Sequence, residues 1–151
     1  MLAACHAHFG ASSGLQCLTV AKLNTVPRDS PEGETMDLNH LHLHVRDIPR
    51  DKMFYETYFG FVKEGVKEEG FLIIRNADGF DLAFMEDSNP DPMPPWFHFG
   101  FRLPNREAVR AMHDRMSADG VSIPRPLEDH GSWMSFRCAD PDGYVIEVYT
   151  D

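Results

Sequence analysis

The chain has 151 residues, a formal net charge of −10 and 42% hydrophobic residues, enough for one domain that buries roughly 70% of the surface its unfolded chain exposes. An acidic balance with scattered basic residues is the wrong sign for a phosphate-binding face, so no nucleic-acid partner is expected. No apolar run approaches the ~20 residues that span a bilayer, and Cys5, Cys17 and Cys138 form neither a close pair nor a Cys-x-x-Cys site; a soluble cytoplasmic protein with no membrane partner is expected.

Residues 1–35 mix small, polar and turn-prone stretches such as "ASSG" and "PRDSPEGET" with one short apolar piece, so no sustained period emerges. They are expected to be a poorly ordered extension, since Lys22 and Arg28 are too few bases for an amphipathic targeting peptide. From Met36 the pattern sharpens, and residues 36–151 are expected to form a single domain. Its first strand is predicted over residues 38–45, where "LNHLHLHV" alternates strictly. Asp47 then caps a helix that runs to Phe59 and stops at Gly60. Strands follow over residues 61–67, 71–75 and 80–85, the last two separated by the turn "NADG". A fifth strand is predicted over 96–103, and Asn105 caps a second helix whose Val109, Met112 and Met116 form an apolar stripe for the core. Strands over 121–127, 133–138 and 144–150 complete the chain, with "DPDG" turning between the final pair.

The chain repeats itself. One unit begins at His40, passes through a helix and stops at Gly60; another begins at His98, does the same and stops at Gly120. "ADGFDLAFMED" (Ala77 to Asp87) aligns without a gap on "PDGYVIEVYTD" (Pro141 to Asp151). The pattern is βαβββ twice, with module one over about residues 36–89 and module two over about 95–151, an α+β fold.

Period-2 geometry sorts the side chains. Leu41, Leu43 and Val45 point to the helix-covered face, leaving His40, His42 and His44 on the other. Phe97, Phe99 and Phe101 face the core while His98, Gly100 and Arg102 look away; Tyr144, Ile146 and Val148 pack inward while Val145, Glu147 and Tyr149 do not. Two imidazoles and one carboxylate on neighbouring strands suit a facial triad for Fe(II), Mn(II), Ni(II) or Zn(II).

"LNHLHLHVRD…FYETYFGF", "FHFGF" and "DPDGYVIEVY" resemble the three signature blocks of the vicinal oxygen chelate superfamily, which includes glyoxalase I, extradiol dioxygenases, methylmalonyl-CoA epimerase, fosfomycin-resistance transferases and bleomycin-resistance proteins. The resemblance implies two βαβββ modules curled into a cupped, partly closed mixed sheet with flanking helices, holding one divalent metal ion. The metal ligands it implies are His40, His98 and Glu147. It implies a small-molecule substrate that chelates through two neighbouring oxygens, and a homodimer in which a cup is completed either within one chain or between two.

The narrower subfamilies fit less well. A fourth ligand, where glyoxalase I and the epimerase have one, would stand at the mate of Glu147, which the internal alignment makes Ala83; Asp81 would reach the site only after a two-residue strand shift. Extradiol enzymes place an acid–base histidine between the first two ligands, and none lies between His44 and His98. Fosfomycin enzymes carry threonine where His42 stands, and both families tend to have tyrosine where Arg137 stands. His42, about 6.5–7 Å along the strand from His40, is the candidate acid–base residue alongside Glu147, against a hydrogen-bonded structural role. Arg137 is a candidate clamp for a substrate anion, with Tyr149 and Trp133 as candidate pocket walls. His44 reads as a rim residue; His6, His8, His113 and His130 receive no role. The expectation is a metal-dependent lyase, isomerase, thiol transferase or extradiol-type dioxygenase, with a bleomycin-resistance-like sequestering protein as the alternative.

Overall fold

The repeat in the sequence is a repeat in the topology. The computed structural model describes residues 37–151, so the expectation for residues 1–35 lies outside the described residues. Module one runs β1 (His40–Val45), α1 (Ile48–Phe59), β2 (Lys63–Glu68), β3 (Phe71–Arg75) and β4 (Asp81–Glu86). Module two runs β5 (Phe99–Arg102), α2 (Arg106–Ala118), β6 (Arg125–Asp129), β7 (Met134–Ala139) and β8 (Val145–Thr150). Each builds a four-stranded mixed sheet, ordered β1-β4-β3-β2 and β5-β8-β7-β6. The outer pairs β1·β4 and β5·β8 are parallel and the others antiparallel.

Local chemistry sets the helix ends. The Asp47 side chain accepts from the Arg50 amide at 3.0 Å, and that of Asn105 accepts from Ala108 at 2.9 Å, each satisfying one orphan N–H of a first turn. Gly60 closes α1 at φ 71°, in the left-handed region that glycine enters without steric cost.

Four strands begin at least two residues later than the alternation predicts, β2 at Lys63 among them. Leu38 is 87% exposed, and the ladder of β1 starts at His40 opposite Asp81. Pro90, Pro92, Pro94 and Pro95 lack N–H donors, and the Phe97 amide bonds back to the Pro94 carbonyl at 2.9 Å, so β5 starts only at Phe99. Val121 donates to Met116 at 2.9 Å as a closing contact of α2, and Pro124 follows, so β6 starts at Arg125 while Val121 and Ile123 pack on the core.

One apolar core joins the modules. Leu43, Val45, Tyr55, Phe61, Leu82 and Phe84 of module one meet Val109, Met116, Phe136, Ile146 and Val148 of module two. Phe59 stacks on Phe101 with ring centroids 4.4 Å apart. A polar joint lies beside it: Asp142 accepts from Arg46 and Arg50 at 2.7 Å each, Tyr55 donates to Asp140 at 2.8 Å, and Tyr144 donates to the His44 carbonyl at 2.9 Å. The "DPDG" turn is thereby tied to the start of α1. Asp51 is wholly buried here; burial pushes its carboxyl up to about 7, outweighing Arg50 at 2.8 Å, with Asp140 and Asp142 adding to the rise. Among the described residues no helix is long and apolar enough to cross a membrane.

Candidate metal centre

With the helices and core on one side of each sheet, the other face is read from strand register. In module two, Gly100, Glu147, Arg137 and Arg125 share a rung across β5, β8, β7 and β6. In module one the equivalent rung is His42, Ala83 and Ile73 across β1, β4 and β3. Two residues toward the strand starts, β1 and β4 place His40 opposite Asp81. His98 sits just before β5, one alternation ahead of Gly100.

His98 and Glu147 meet: Nε2 of the imidazole lies 3.5 Å from Oε2 of the carboxylate. The tautomer follows from the partners. Nδ1 of His98 is 3.1 Å from the Trp96 carbonyl, which only accepts, so Nδ1 carries the proton. Nη2 of Arg137 is 3.1 Å from Nε2 of His98, and a guanidinium only donates, so Nε2 presents its lone pair. The carboxylate is oriented by Ser135, whose hydroxyl donates to Oε1 at 3.1 Å, and Arg137 Nε stands 3.8 Å from the same oxygen. A Cβ on Gly100 would lie 3.3 Å from the Glu147 carbonyl and 3.4 Å from the Tyr149 ring, so glycine keeps the strand beside the carboxylate clear.

These two donors fit a divalent ion. Ligand atoms with metal bonds of ~2.1 Å can stand no more than about 4.2 Å apart, and a 3.5 Å separation lies within that span. A neutral imidazole whose far nitrogen is anchored to a backbone carbonyl is the usual form of a metal-ligating histidine.

His40 does not join them. Its Nδ1 pairs with Asn39 Oδ1 at 3.0 Å, and it lines a cavity of about 580 Å³ with Leu38, Phe80, Gly100, Phe101 and Arg102 whose lining includes neither His98 nor Glu147. Among the described residues no three His, Cys, Asp or Glu side chains converge as a metal set. Asp81 is engaged by Arg75 through both oxygens, and that hydrogen-bonded guanidinium holds its carboxyl below the usual range. His42 is exposed, edge-on to Phe71 at 5.9 Å and 5.6 Å from the His44 ring. His44 pairs with Asp87 at 3.0 Å at the end of the strand.

Of the pocket-wall candidates, Tyr149 stands beside Gly100 on the face of Glu147, whereas Trp133 stacks on His130 at 4.7 Å in the β6–β7 turn. Sequence reasoning did not single out Ser135. Its signal was available: it lies two residues before Arg137, hence on the same face of β7.

Residues 37–148 match the Glyoxalase/Bleomycin resistance protein/Dioxygenase superfamily. The chain is 26% identical over 125 residues to a catechol-2,3-dioxygenase of Bacillus subtilis, a match covering 78% of this chain but only 42% of that relative. It is 32% identical to the structure of a possible glyoxalase from Bacillus cereus, with TM-score 0.65 over 76% of this chain and 98% of the other. The fosfomycin resistance protein FosX of Listeria monocytogenes shares the fold, with TM-score 0.66 at 21% identity over 78% of this chain and 95% of that one.

Proposed function

The chain belongs to the Glyoxalase/Bleomycin resistance protein/Dioxygenase superfamily, and from that premise we propose that it is a divalent-metal-dependent enzyme acting on a small substrate bound through vicinal oxygens. The observation that carries this reading is the His98–Glu147 pair, with the Nε2 lone pair turned toward the carboxylate by a fixed tautomer and the carboxylate oriented by Ser135. The third ligand, His40, comes from a second copy of the chain, because the chain by itself gathers no three-ligand set among the described residues. The protein is therefore a homodimer with two shared sites. A divalent ion held there supplies Lewis acidity toward a substrate oxygen. The chain's own residues do the rest: Glu147 and Tyr149 define one wall, and Ala83, Ile73 and Phe71 form an apolar floor on the opposing sheet. His42 takes or returns a proton from the face that also carries His40.

Metal content of protein purified without chelator tests the reading. About one divalent ion per chain is expected, and none in Glu147→Ala. Mixing His40→Ala with Glu147→Ala chains tests the sharing: each heterodimer has one site with both ligands lost and one intact, so it regains one ion per dimer. A site confined to one chain regains none. Protein that takes up no ion after reconstitution is instead a ligand-sequestering member of the superfamily.

A further inference from the structure

The guanidinium of Arg137 occupies the approach to both module-two ligand atoms. Its Nη2 donates to the Nε2 lone pair of His98 at 3.1 Å, and its Nε lies 3.8 Å from Glu147 Oε1. An unprotonated imidazole nitrogen offers a single lone pair, so His98 Nε2 cannot serve Arg137 and a divalent ion together. We propose that Arg137 is a competing cation at this site, displaced when a metal is loaded, and that once displaced it holds an anionic group, carboxylate or phosphate-like, on the substrate. The inference rests on the proposed metal site and adds the charge class of its substrate.

Two features favour a side chain that moves over a fixed strut. Nε of Arg137 is buried without a hydrogen-bond partner, so the contact with His98 leaves the planar fork half used. Arg125 stands directly opposite on β6, and like charges on facing positions repel. An oxyanion in the cup satisfies the unused donor and screens that repulsion. Glu147 balances one positive charge at the site, so a loaded dication beside Arg137 leaves net positive charge that an anionic substrate neutralises.

Mn²⁺ titration of the intact protein, wild type against Arg137→Met and Arg137→Gln, tests this. Because a charge-assisted hydrogen bond is lost to the metal only in wild type, both variants are expected to bind Mn²⁺ about tenfold more tightly. The difference must persist in 0.5 M chloride, which screens charge acting from a distance. Millimolar sulfate at matched ionic strength should tighten Mn²⁺ binding to wild type and leave the variants unchanged, since coupling between two ligands is reciprocal. Thermal melting at wild-type temperatures establishes that the variants fold. Equal Mn²⁺ affinity in wild type and both variants overturns this inference and leaves the metal site standing. So does a difference that vanishes in chloride, or sulfate coupling that survives without Arg137. Absence of Mn²⁺ binding in all three overturns both. Binding by the variants but not wild type supports both.

Discussion

The two modules share a topology and divide their chemistry. The rung Gly100, Glu147, Arg137 in module two is charged, and the equivalent rung His42, Ala83, Ile73 in module one is apolar apart from its imidazole. The next rung repeats the contrast, with Tyr149 opposite Ser135 in one sheet and Met85 opposite Phe71 in the other. Each module opens with a histidine, but the carboxylate opposite His40, Asp81, is engaged by Arg75, whereas Glu147 lies 3.5 Å from His98. Two matching βαβββ scaffolds therefore carry unlike halves of the proposed site: in that reading one would bind the cation, while the other would lend a ligand, a base and an apolar floor. Facing two copies head to tail would give each cup one of each half.

Variants at matched positions break or sharpen this contrast. The largest effect is expected for Glu147→Ala, which should abolish stoichiometric metal in elemental analysis, whereas substitution of its mate, Ala83→Gly, should leave metal content unchanged. His42→Ala should retain metal and lower turnover on any substrate found by about 10²–10⁴-fold; full activity would remove the proposed proton transfer.

The cores differ as the cups do. Phe84 on β4 and Val148 on β8 are matching buried positions. Phe84→Ala should cost about 3–5 kcal/mol in urea denaturation, and Val148→Ala about 2 kcal/mol from the smaller apolar loss.

The polar joint between the modules sets a pH dependence. Asp51 is pushed up to about 7 by burial, against an ordinary value of 3.8, so the folded state binds more protons than the unfolded between those limits. Stability from this group is full below about pH 4 and is lost as pH rises through 7. Asp142 behaves oppositely: burial raises it, but the Arg46 amide and the Arg50 and Arg46 guanidinium groups outweigh burial, so its contribution is lost as pH falls. Asp51→Asn should flatten the decline between about pH 4 and 7 by on the order of 2–4 kcal/mol in melts across that range. The smallest effect is expected for Asp81→Asn, which breaks the exposed pair with Arg75 and should change stability by about 1 kcal/mol or less.

The repeat, both helices with their caps, the eight strands and the face each side chain takes were legible in the sequence, because capping and the periods of helix and strand act over a few residues. Even the mate of Glu147 was legible, since the gapless alignment of "DGFDLA" on "DGYVIE" names Ala83, and the observed registers agree. The late start of β6 was not, because Val121 alternates like a strand residue but spends its amide closing α2. Only tertiary structure decided which donors meet. The proximity of Arg137 to His98 spans 39 residues of chain and depends on how β7 registers with β8 and β8 with β5. The distance of His40 from that pair depends on how the modules pack through Tyr55, Phe59 and Phe101, contacts that alternation within a strand does not specify. Local periodicity assigns a side chain to a face; long-range packing determines which other face it meets.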